Sequence, residues 1–209
     1  MIVIETPRLF LRHYTLDDVD ALSEVLCDHE NMRFFPNRFE RKDAEEWIAK
    51  SLRRYAEDGV GGWALILKPE GKFEAKFEAK FGGYCGLVYR EIDGAREIEV
   101  GYALGRHCQG RGIATEAARA CMDYAFTQLH ERRVISLIRP ENIPSRRVAE
   151  RNGMTVEKET EFVGLPHLVY TKWGRSLISL RTPGAVTEVI AAKLGSVPIF
   201  NPTGSPGYS

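Results

Sequence analysis

The sequence lacks an excess of either charge sign, and this excludes one broad class of partner. Lys plus Arg and Asp plus Glu both number 29 among the 209 residues, so the formal net charge is zero. Proteins that bind nucleic acid through its phosphates usually carry a basic surplus. We therefore expect no nucleic-acid partner, although this balance still permits a local basic patch.

Cysteine pairs and long apolar runs are also missing. Cys27, Cys85, Cys108 and Cys121 form no CxxC pair, so a zinc site has no support and we expect no metal. Unpaired, scattered cysteines suit a reducing compartment. No stretch is long enough to span a bilayer, and the start MIVIETPRLFLR contains an acid and a proline where a signal peptide is apolar. These features predict a cytoplasmic protein without a membrane partner.

Apolar residues are plentiful, since 44% of the chain is hydrophobic, which is enough for a core without metal or disulfide support. The hydrophobic periodicities follow the order strand, two helices, three strands, helix, strand, helix, two strands, with the first strand at residues 8–12. This mixed order predicts an α+β (α/β layered) domain over residues 1–173. Residues 174–209 are rich in proline and predict a partly disordered tail with a short helix at 185–194.

A tandem four-residue unit interrupts the predicted strands. The segment KFEAKFEAKF, residues 72–81, aligns its Phe residues on one side of a helix, but it also fits a strand. Periodicity does not decide between the two. We interpret the segment as an insertion that lengthens a hairpin.

A glycine-containing loop is the most informative segment. Residues 109–114 read QGRGIA, and they follow a predicted strand at 97–104 and precede a helix that begins near Ile113. Glycine permits close backbone approach, and the free N–H groups of a helix start bind phosphate. An ordinary strand-to-helix turn is the alternative. The chain contains no GxxxxGK[ST], and Thr115 stands where a dinucleotide fingerprint needs its third glycine.

This loop resembles the Q/R-x-x-G-x-G/A signature of the GNAT N-acetyltransferases, which bind acetyl-coenzyme A (acetyl-CoA). Further segments resemble the RimJ/RimL branch, the ribosomal-protein alanine N-acetyltransferases, in the same order along residues 1–173. The matching segments are TPRLFLR, GGWALILK, GGYCGLV, IEVGYAL, GIATEA and NIPSRRVAERNGM, the last with Met154 in place of the family's Phe. The KFEA insertion and the tail lie outside the resemblance.

The resemblance implies a mixed, strongly twisted GNAT-type sheet flanked by helices, in which the fourth and fifth strands splay apart around acetyl-CoA. It also implies that the pyrophosphate lies on the loop and helix start, formed by Gln109, Gly110, Arg111, Gly112, Ile113, Ala114 and Thr115. The pantetheine arm would pair with the end of the preceding strand, at Tyr102, Ala103 and Leu104. Asn142 would meet the same arm, although it is also a suitable turn residue.

Acetyl transfer to an amine needs a base for the amine, a donor for the oxyanion and a proton for the leaving thiolate. Glu99 is the candidate base, and Glu97, on the same face of the predicted strand, is the alternative; a solvated carboxylate is the competing interpretation. Ser145 is the candidate acid because it matches the serine of the family's Asn-x-x-Ser, although it equally suits a hydroxyl that caps a helix start. The tyrosine that many family members carry four positions later is Ala149 here.

We expect an N-acetyltransferase that moves the acetyl group of acetyl-CoA to a primary amine, either a protein N-terminus or a small molecule, by direct attack in a ternary complex. A non-catalytic module that senses CoA or acetyl-CoA is the alternative, and a binder of another phosphate compound is a third. The sequence does not name the acceptor, and it is compatible with a homodimer. The segment RRYAED, residues 53–58, is interpreted as a solvated helix end.

Overall fold

A computed structural model describes residues 1–69 and 80–174. The strands in these residues are β1 (Ile2–Glu5), β2 (Leu9–Arg12), β3 (Gly62–Leu67), β4 (Lys80–Ile92), β5 (Ala95–Leu104), β6 (Arg133–Ile138), β7 (Thr155–Phe162) and β8 (Leu165–Trp173). The helices are α1 (Val19–Leu26), α2 (Arg41–Glu57), α3 (Ile113–Thr127) and α4 (Ile143–Arg151), and short 3₁₀ turns cover Leu16–Asp18 and Arg106–Cys108. The predicted tail beyond Gly174 and the repeat before Lys80 lie outside the described residues.

The strands form one mixed sheet in the order β1-β2-β3-β4-β5-β6-β8-β7, which confirms the predicted α+β class. Neighbouring strands are antiparallel except β5 and β6, which are parallel. Asp93 and Gly94 turn the β4–β5 hairpin with φ values of 50° and 78°, as the Asp-Gly pair predicts. Val163 and Gly164 turn β7 into β8 with φ values of 49° and 74°.

Strand β1 is missing from the predicted order, which begins with a single strand at 8–12. The chain instead starts with a hairpin in which Ile2 pairs with Arg12 and Glu5 with Phe10. The strand was not recognised because it is a four-residue edge strand with little burial; Ile2, for example, is 54% exposed. A short edge strand needs no alternation of apolar and polar residues, so periodicity does not detect it.

The sheet buries a different layer of helices on each face, because side chains alternate along the strands. Trp63 and Leu65 point to the face covered by α3. Ala64 and Ile66 point to the opposite face, which α1 and α2 cover. This division matters for function because it places α2 and α3 on opposite sides of the sheet.

Helix α2 exposes two apolar side chains and buries a polar one. Leu52 and Ala56 are exposed, whereas Ser51 is buried. The buried hydroxyl of Ser51 is satisfied because it donates a hydrogen bond to the carbonyl of Trp47 at 2.9 Å. The helix can therefore turn this polar position toward the sheet.

An ion pair between Arg12 and Asp18 joins β2 to the start of α1. Both terminal nitrogens of Arg12 donate to the Asp18 carboxylate at 2.7 Å, and the N–H of Thr15 donates to it at 2.8 Å, the reciprocal cap that the Thr15–Asp18 spacing predicts. The Asp18 side chain is only 8% exposed. Burial acts to raise its pKa, but the hydrogen bonds from Arg12 and Thr15 outweigh burial and hold the pKa below its ordinary value.

We expect Asp18→Asn to lower the free energy of unfolding at pH 7 by about 2 kcal/mol, because it leaves Arg12 without its charge partner. Asp17→Asn, at the exposed neighbouring position, is the control and should leave stability unchanged. Because the folded pKa is depressed, this contribution exists above the ordinary aspartate pKa, ~3.9, and disappears as the pH falls through the folded pKa. Urea unfolding at pH 7 and pH 3 measures both effects, and equal stability of the two variants at pH 7 would contradict the assignment.

Candidate active site

The two parallel strands at the centre of the sheet separate along their length. Strands β5 and β6 pair only at Glu99 and Ile135. Next to this pair, the hydroxyl of Ser136 donates to the carbonyl of Val100 at 3.0 Å. Backbone groups alternate between the two edges of a strand, so Tyr102 presents its N–H and C=O to the widening gap. This is the strand separation that the family resemblance implies.

A cavity of about 260 Å³ occupies this gap, and residues from both faces of the sheet line it. From the face covered by α2 it is lined by Trp47, Lys50, Arg54 and Tyr84. From the other side it is lined by Tyr102, Asn142 and Ser145. The gap therefore connects the two faces at the centre of the sheet.

Glu99 lies on the wall of this cavity and Glu97 does not. The Glu99 side chain is 12% exposed, and its Oε2 accepts a hydrogen bond from Nε of Arg90. Glu97 lies two residues earlier on the same strand face and pairs with Arg133 at 3.3 Å, away from the residues that line the cavity. Alternation along the strand places both carboxylates on one face of the sheet. Only Glu99 lies where the gap has opened, so only Glu99 reaches the cavity.

Asn142 and Ser145 form the start of α4. The side-chain oxygen of Asn142 accepts a hydrogen bond from the N–H of Ser145 at 3.1 Å, which is a helix N-cap, and Pro144 occupies the first turn, a position that suits proline. Ser145 lines the cavity, and its side chain lies within hydrogen-bonding reach of the Tyr102 phenol. Asn142 is thus the cap, and the serine hydroxyl is not needed for that role.

Tyr102 contributes a side chain that sequence reasoning did not single out. Its hydroxyl donates to the carbonyl of Ser145 at 3.2 Å, and burial raises the pKa of the phenol, which keeps it neutral. The sequence predicts a role only for its backbone, because no local pattern indicates that its ring reaches α4. Ala149 occupies the position at which many family members carry a tyrosine, and it is buried. Tyr102 places an aromatic hydroxyl beside Ser145 instead.

The loop before α3 has the backbone conformation that its glycines predict. Gly110 and Gly112 have φ values of 72° and 75°, and Gly112 is the N-cap. The first bond of the helix runs from the N–H of Glu116 to the carbonyl of Gly112 at 3.1 Å. The N–H groups of the three residues between them have no acceptor within the helix, as at every helix start, and are therefore suited to bind an anion. These residues are Ile113, Ala114 and Thr115.

Arg8 and Glu116 fasten the loop to the N-terminal hairpin. Arg8 donates from Nη1 to the carbonyl of Arg111 at 2.8 Å and from Nε to Glu116 at 2.5 Å, and Thr6 donates to Glu116 at 2.6 Å. Partial burial acts to raise the pKa of Glu116, but the hydrogen bonds from Thr6 and Arg8 outweigh it and hold the pKa below its ordinary value. Sequence reasoning missed this contact because its partners lie 108 residues apart.

Side chains from two other segments hold the carbonyl of Leu104 at the end of β5. The side chain of Gln109 donates to Asn31 and to the carbonyl of Leu104, the latter at 3.2 Å, and Asn31 donates to the same carbonyl at 2.8 Å. The carbonyl of Val100 points toward β6, and backbone groups alternate along a strand, so those of Ala103 point toward β4. Gln109 therefore uses its side chain to hold the loop. Tyr102 and Leu104 direct their backbone groups to the edge that faces the gap, and the carbonyl of Leu104 already has a partner in Asn31.

Other reactive groups are not assembled for catalysis. Cys108 is buried, and burial raises the pKa of its thiol, which does not suit a nucleophile. Within residues 1–69 and 80–174, no three or more His, Cys, Asp or Glu side chains converge as a metal site would require. In the same residues, no helix has the length and apolar composition needed to cross a membrane.

Comparison with known families settles the class of this protein. The family model "Acetyltransferase (GNAT) domain" matches residues 8–155. The chain belongs to the GNAT acetyltransferase family. The match contains β2 to α4 and so includes the glycine loop, Glu99 and Ser145. It confirms the predicted family and makes the chain an acyltransferase.

Two proteins of Bacillus subtilis are similar to this GNAT chain over most of their length. The protein YkkB is 32% identical over 168 residues, which is 80% of this chain and 93% of YkkB. The N-acetyltransferase YnaD is 30% identical over 155 residues, which is 74% of this chain and 83% of YnaD.

Solved structures show the same GNAT fold. A GNAT-family acetyltransferase from Bacillus anthracis is 25% identical with a TM-score of 0.67, covering 83% of this chain and 98% of its own. RimL, a ribosomal L7/L12 N-acetyltransferase solved with coenzyme A, is 20% identical with a TM-score of 0.63. The match covers 83% of this chain and 98% of RimL. At this identity RimL shares the fold, in line with the RimJ/RimL resemblance.

We expect Gly112→Ala to weaken coenzyme A binding by about tenfold. A side chain at φ 75° costs roughly 1–2 kcal/mol, and relaxing it turns the N–H groups of the loop away from a bound diphosphate. The added Cβ would lie 3.6 Å from Nη2 of Arg8, an ordinary contact, so the effect is strain rather than collision. Calorimetric titration measures the Kd.

Gly164→Ala is the matched control, because its φ of 74° imposes the same strain in the β7–β8 turn, away from the loop. It should lower stability as much as Gly112→Ala does, yet bind coenzyme A normally. If both variants bind coenzyme A as the unmodified protein does, the loop is not the diphosphate site.

Proposed function

We propose that this chain transfers the acetyl group of acetyl-CoA to a primary amine by direct attack in a ternary complex. The observation that supports this most is the cavity between β5 and β6, which has Glu99 and Ser145 on its wall and opens toward both layers of helices. Two substrates that enter from opposite faces of the sheet would meet there, and holding them in register supplies much of the rate enhancement.

The residues around the gap fit acetyl-CoA, which supplies an activated thioester when it binds. The N–H groups of Ile113, Ala114 and Thr115 suit its diphosphate. The backbone of Tyr102 suits an amide of the pantetheine arm, since buried peptide groups require partners. The side-chain nitrogen of Asn142 suits the same arm, because the cap uses only the oxygen of this residue.

Glu99 is the group that would take the proton from the amine, directly or through one water molecule. An amine attacks only in its neutral form, so a nearby proton acceptor is required. Arg90 contacts Oε2 of Glu99 and fixes the orientation of the carboxylate against the cavity. The carboxylate points to the face covered by α2, which is the side from which the amine would enter.

Ser145 is the group that would return a proton to sulfur. As the new N–C bond forms, the C–S bond breaks and leaves a thiolate, to which the hydroxyl of Ser145 can donate a proton. A backbone N–H on β5 would donate to the carbonyl oxygen as it gains negative charge. No residue needs to form a covalent intermediate, in agreement with the buried Cys108 and Cys121, whose thiol pKa values are raised by burial.

Acetyl transfer is tested by a mass-shift screen in which the protein and acetyl-CoA are incubated with a panel of peptides and small amines, and thiol release is recorded in parallel. We expect one acetyl group to be added to at least one class of amine with equal release of thiol. Tight coenzyme A binding without thiol release on any amine would favour the sensor function instead.

Glu99→Gln should lower kcat by roughly 100-fold and change the pH profile of kcat, because the amide cannot accept the proton. Glu97→Gln is the matched control: it removes a carboxylate from the same face of β5, and its kcat and pH profile should not change. The rate of thiol release, recorded between pH 5 and 9 for both variants, gives kcat and its pH profile. An unaltered profile in Glu99→Gln would remove this residue from the mechanism.

Ser145→Ala should lower kcat by about tenfold without changing the Kd of coenzyme A, because the thiolate leaves without its proton donor. Ser145→Thr keeps the hydroxyl and should recover most of the rate. Stopped-flow thiol release and calorimetry separate the two quantities. A full rate in Ser145→Ala would show that the hydroxyl is not the acid.

A further inference from the structure

Positive side chains crowd the wall of the cavity on the face covered by α2. Lys50, Arg54 and Arg90 all line it there, and Glu99 is the carboxylate that faces them. Lys50 and Arg54 lie four residues apart, so they occupy the same side of α2. Arg90 is engaged with Glu99. Positive charge therefore exceeds negative charge on this part of the wall.

Among the residues that the structure describes, Lys50 and Arg54 have no counter-ion of their own. Within residues 1–69 and 80–174, neither side chain makes a hydrogen bond or an ion pair. Asp58 and Glu99 attract Arg54, but from beyond ion-pair distance. Burial, together with repulsion from Arg54 and Arg90, lowers the pKa of Lys50. An anion bound between these side chains would relieve the repulsion.

These cations are not placed to hold the diphosphate of acetyl-CoA. Helix α2 packs on the sheet face formed by Ala64 and Ile66, whereas α3 and its glycine loop belong to the opposite face. An anion that reaches Lys50 and Arg54 through the cavity would therefore belong to the other substrate, the one that approaches Glu99 from α2.

We infer that the acceptor is an amine that also carries an anionic group, a carboxylate or a phosphate, which Lys50 and Arg54 bind. This inference rests on the proposed acetyl transfer. The planar guanidinium of Arg54 matches either anion through paired N–H donors, and Lys50 adds a point charge. The anion anchors the molecule at α2 while its amine reaches Glu99. Acceptors with a second positive charge, such as polyamines, are repelled by the same residues.

Matched acceptor pairs that differ only in the anion test this inference. The pairs are O-phosphoethanolamine with ethanolamine, glycine with glycinamide, and peptides that begin Ala-Asp with peptides that begin Ala-Asn. We expect kcat/KM to be at least tenfold higher for the anionic member of one or more pairs, and the pair with the largest ratio identifies the source of the anion.

Lys50→Gln and Arg54→Gln should remove this preference by raising KM for the anionic acceptor at least tenfold, with KM for the neutral partner unchanged. Lys50→Arg keeps the charge and should retain the preference. Arg53→Gln removes an exposed charge from the next position of α2 and should have no effect. Thermal unfolding checks that each variant is folded.

The result that overturns the inference is the absence of a preference for the anionic member in every pair, or an equal loss of kcat/KM for both members in the Lys50 and Arg54 variants. If no amine is acetylated, the proposed function fails separately. Calorimetric titration of the coenzyme A-loaded protein with O-phosphoethanolamine and glycine then decides the matter. Binding that Lys50→Gln and Arg54→Gln abolish supports the anion site, and absence of binding refutes it.

Discussion

The backbone of β5 beyond Val100 imposes the constraint on which the site depends. One edge of this strand pairs with β4, but β6 diverges after the pair of Glu99 and Ile135, so the other edge faces a gap. Ser136 satisfies the carbonyl of Val100, and Asn31 satisfies that of Leu104. Tyr102 lies between them. Because an unsatisfied buried peptide group costs about 1–3 kcal/mol, this edge favours a ligand that carries amide groups.

The two sides of the gap present positive potential by different means. On the side of α3, the potential comes from backbone N–H groups at a helix start, which two glycines leave open and which Arg8 and Glu116 hold in place. On the side of α2, it comes from the side chains of Lys50 and Arg54. Backbone groups suit a diphosphate of fixed geometry, whereas side chains adapt to the smaller anion that we propose for the acceptor. The thioester and the amine would meet between these two anchors, next to Glu99 and Ser145.

The sequence predicts those features that depend on local backbone requirements. Gly110 and Gly112 adopt the positive φ values that suited them to a loop. Features that depend on distant packing were not predictable. The alternation of side chains along β5 places Glu99 and Glu97 on the same face, so it does not show which of them reaches the cavity. Nothing in the sequence links Arg8 to Glu116. Residues 53–58 were interpreted as a solvated helix end, but Arg54 lines the cavity, because only the tertiary structure shows which charged side of a helix faces a site.

The most direct test of this account is a crystal structure of the protein with coenzyme A bound. The account predicts that the diphosphate contacts the N–H groups of residues 110–115 and that the pantetheine arm lies between β5 and β6, hydrogen-bonded to the backbone of Tyr102. The sulfur should then lie within reach of Ser145, with Glu99 on the opposite side of the gap. A nucleotide bound elsewhere, with β5 and β6 still separated and the gap empty, would contradict it.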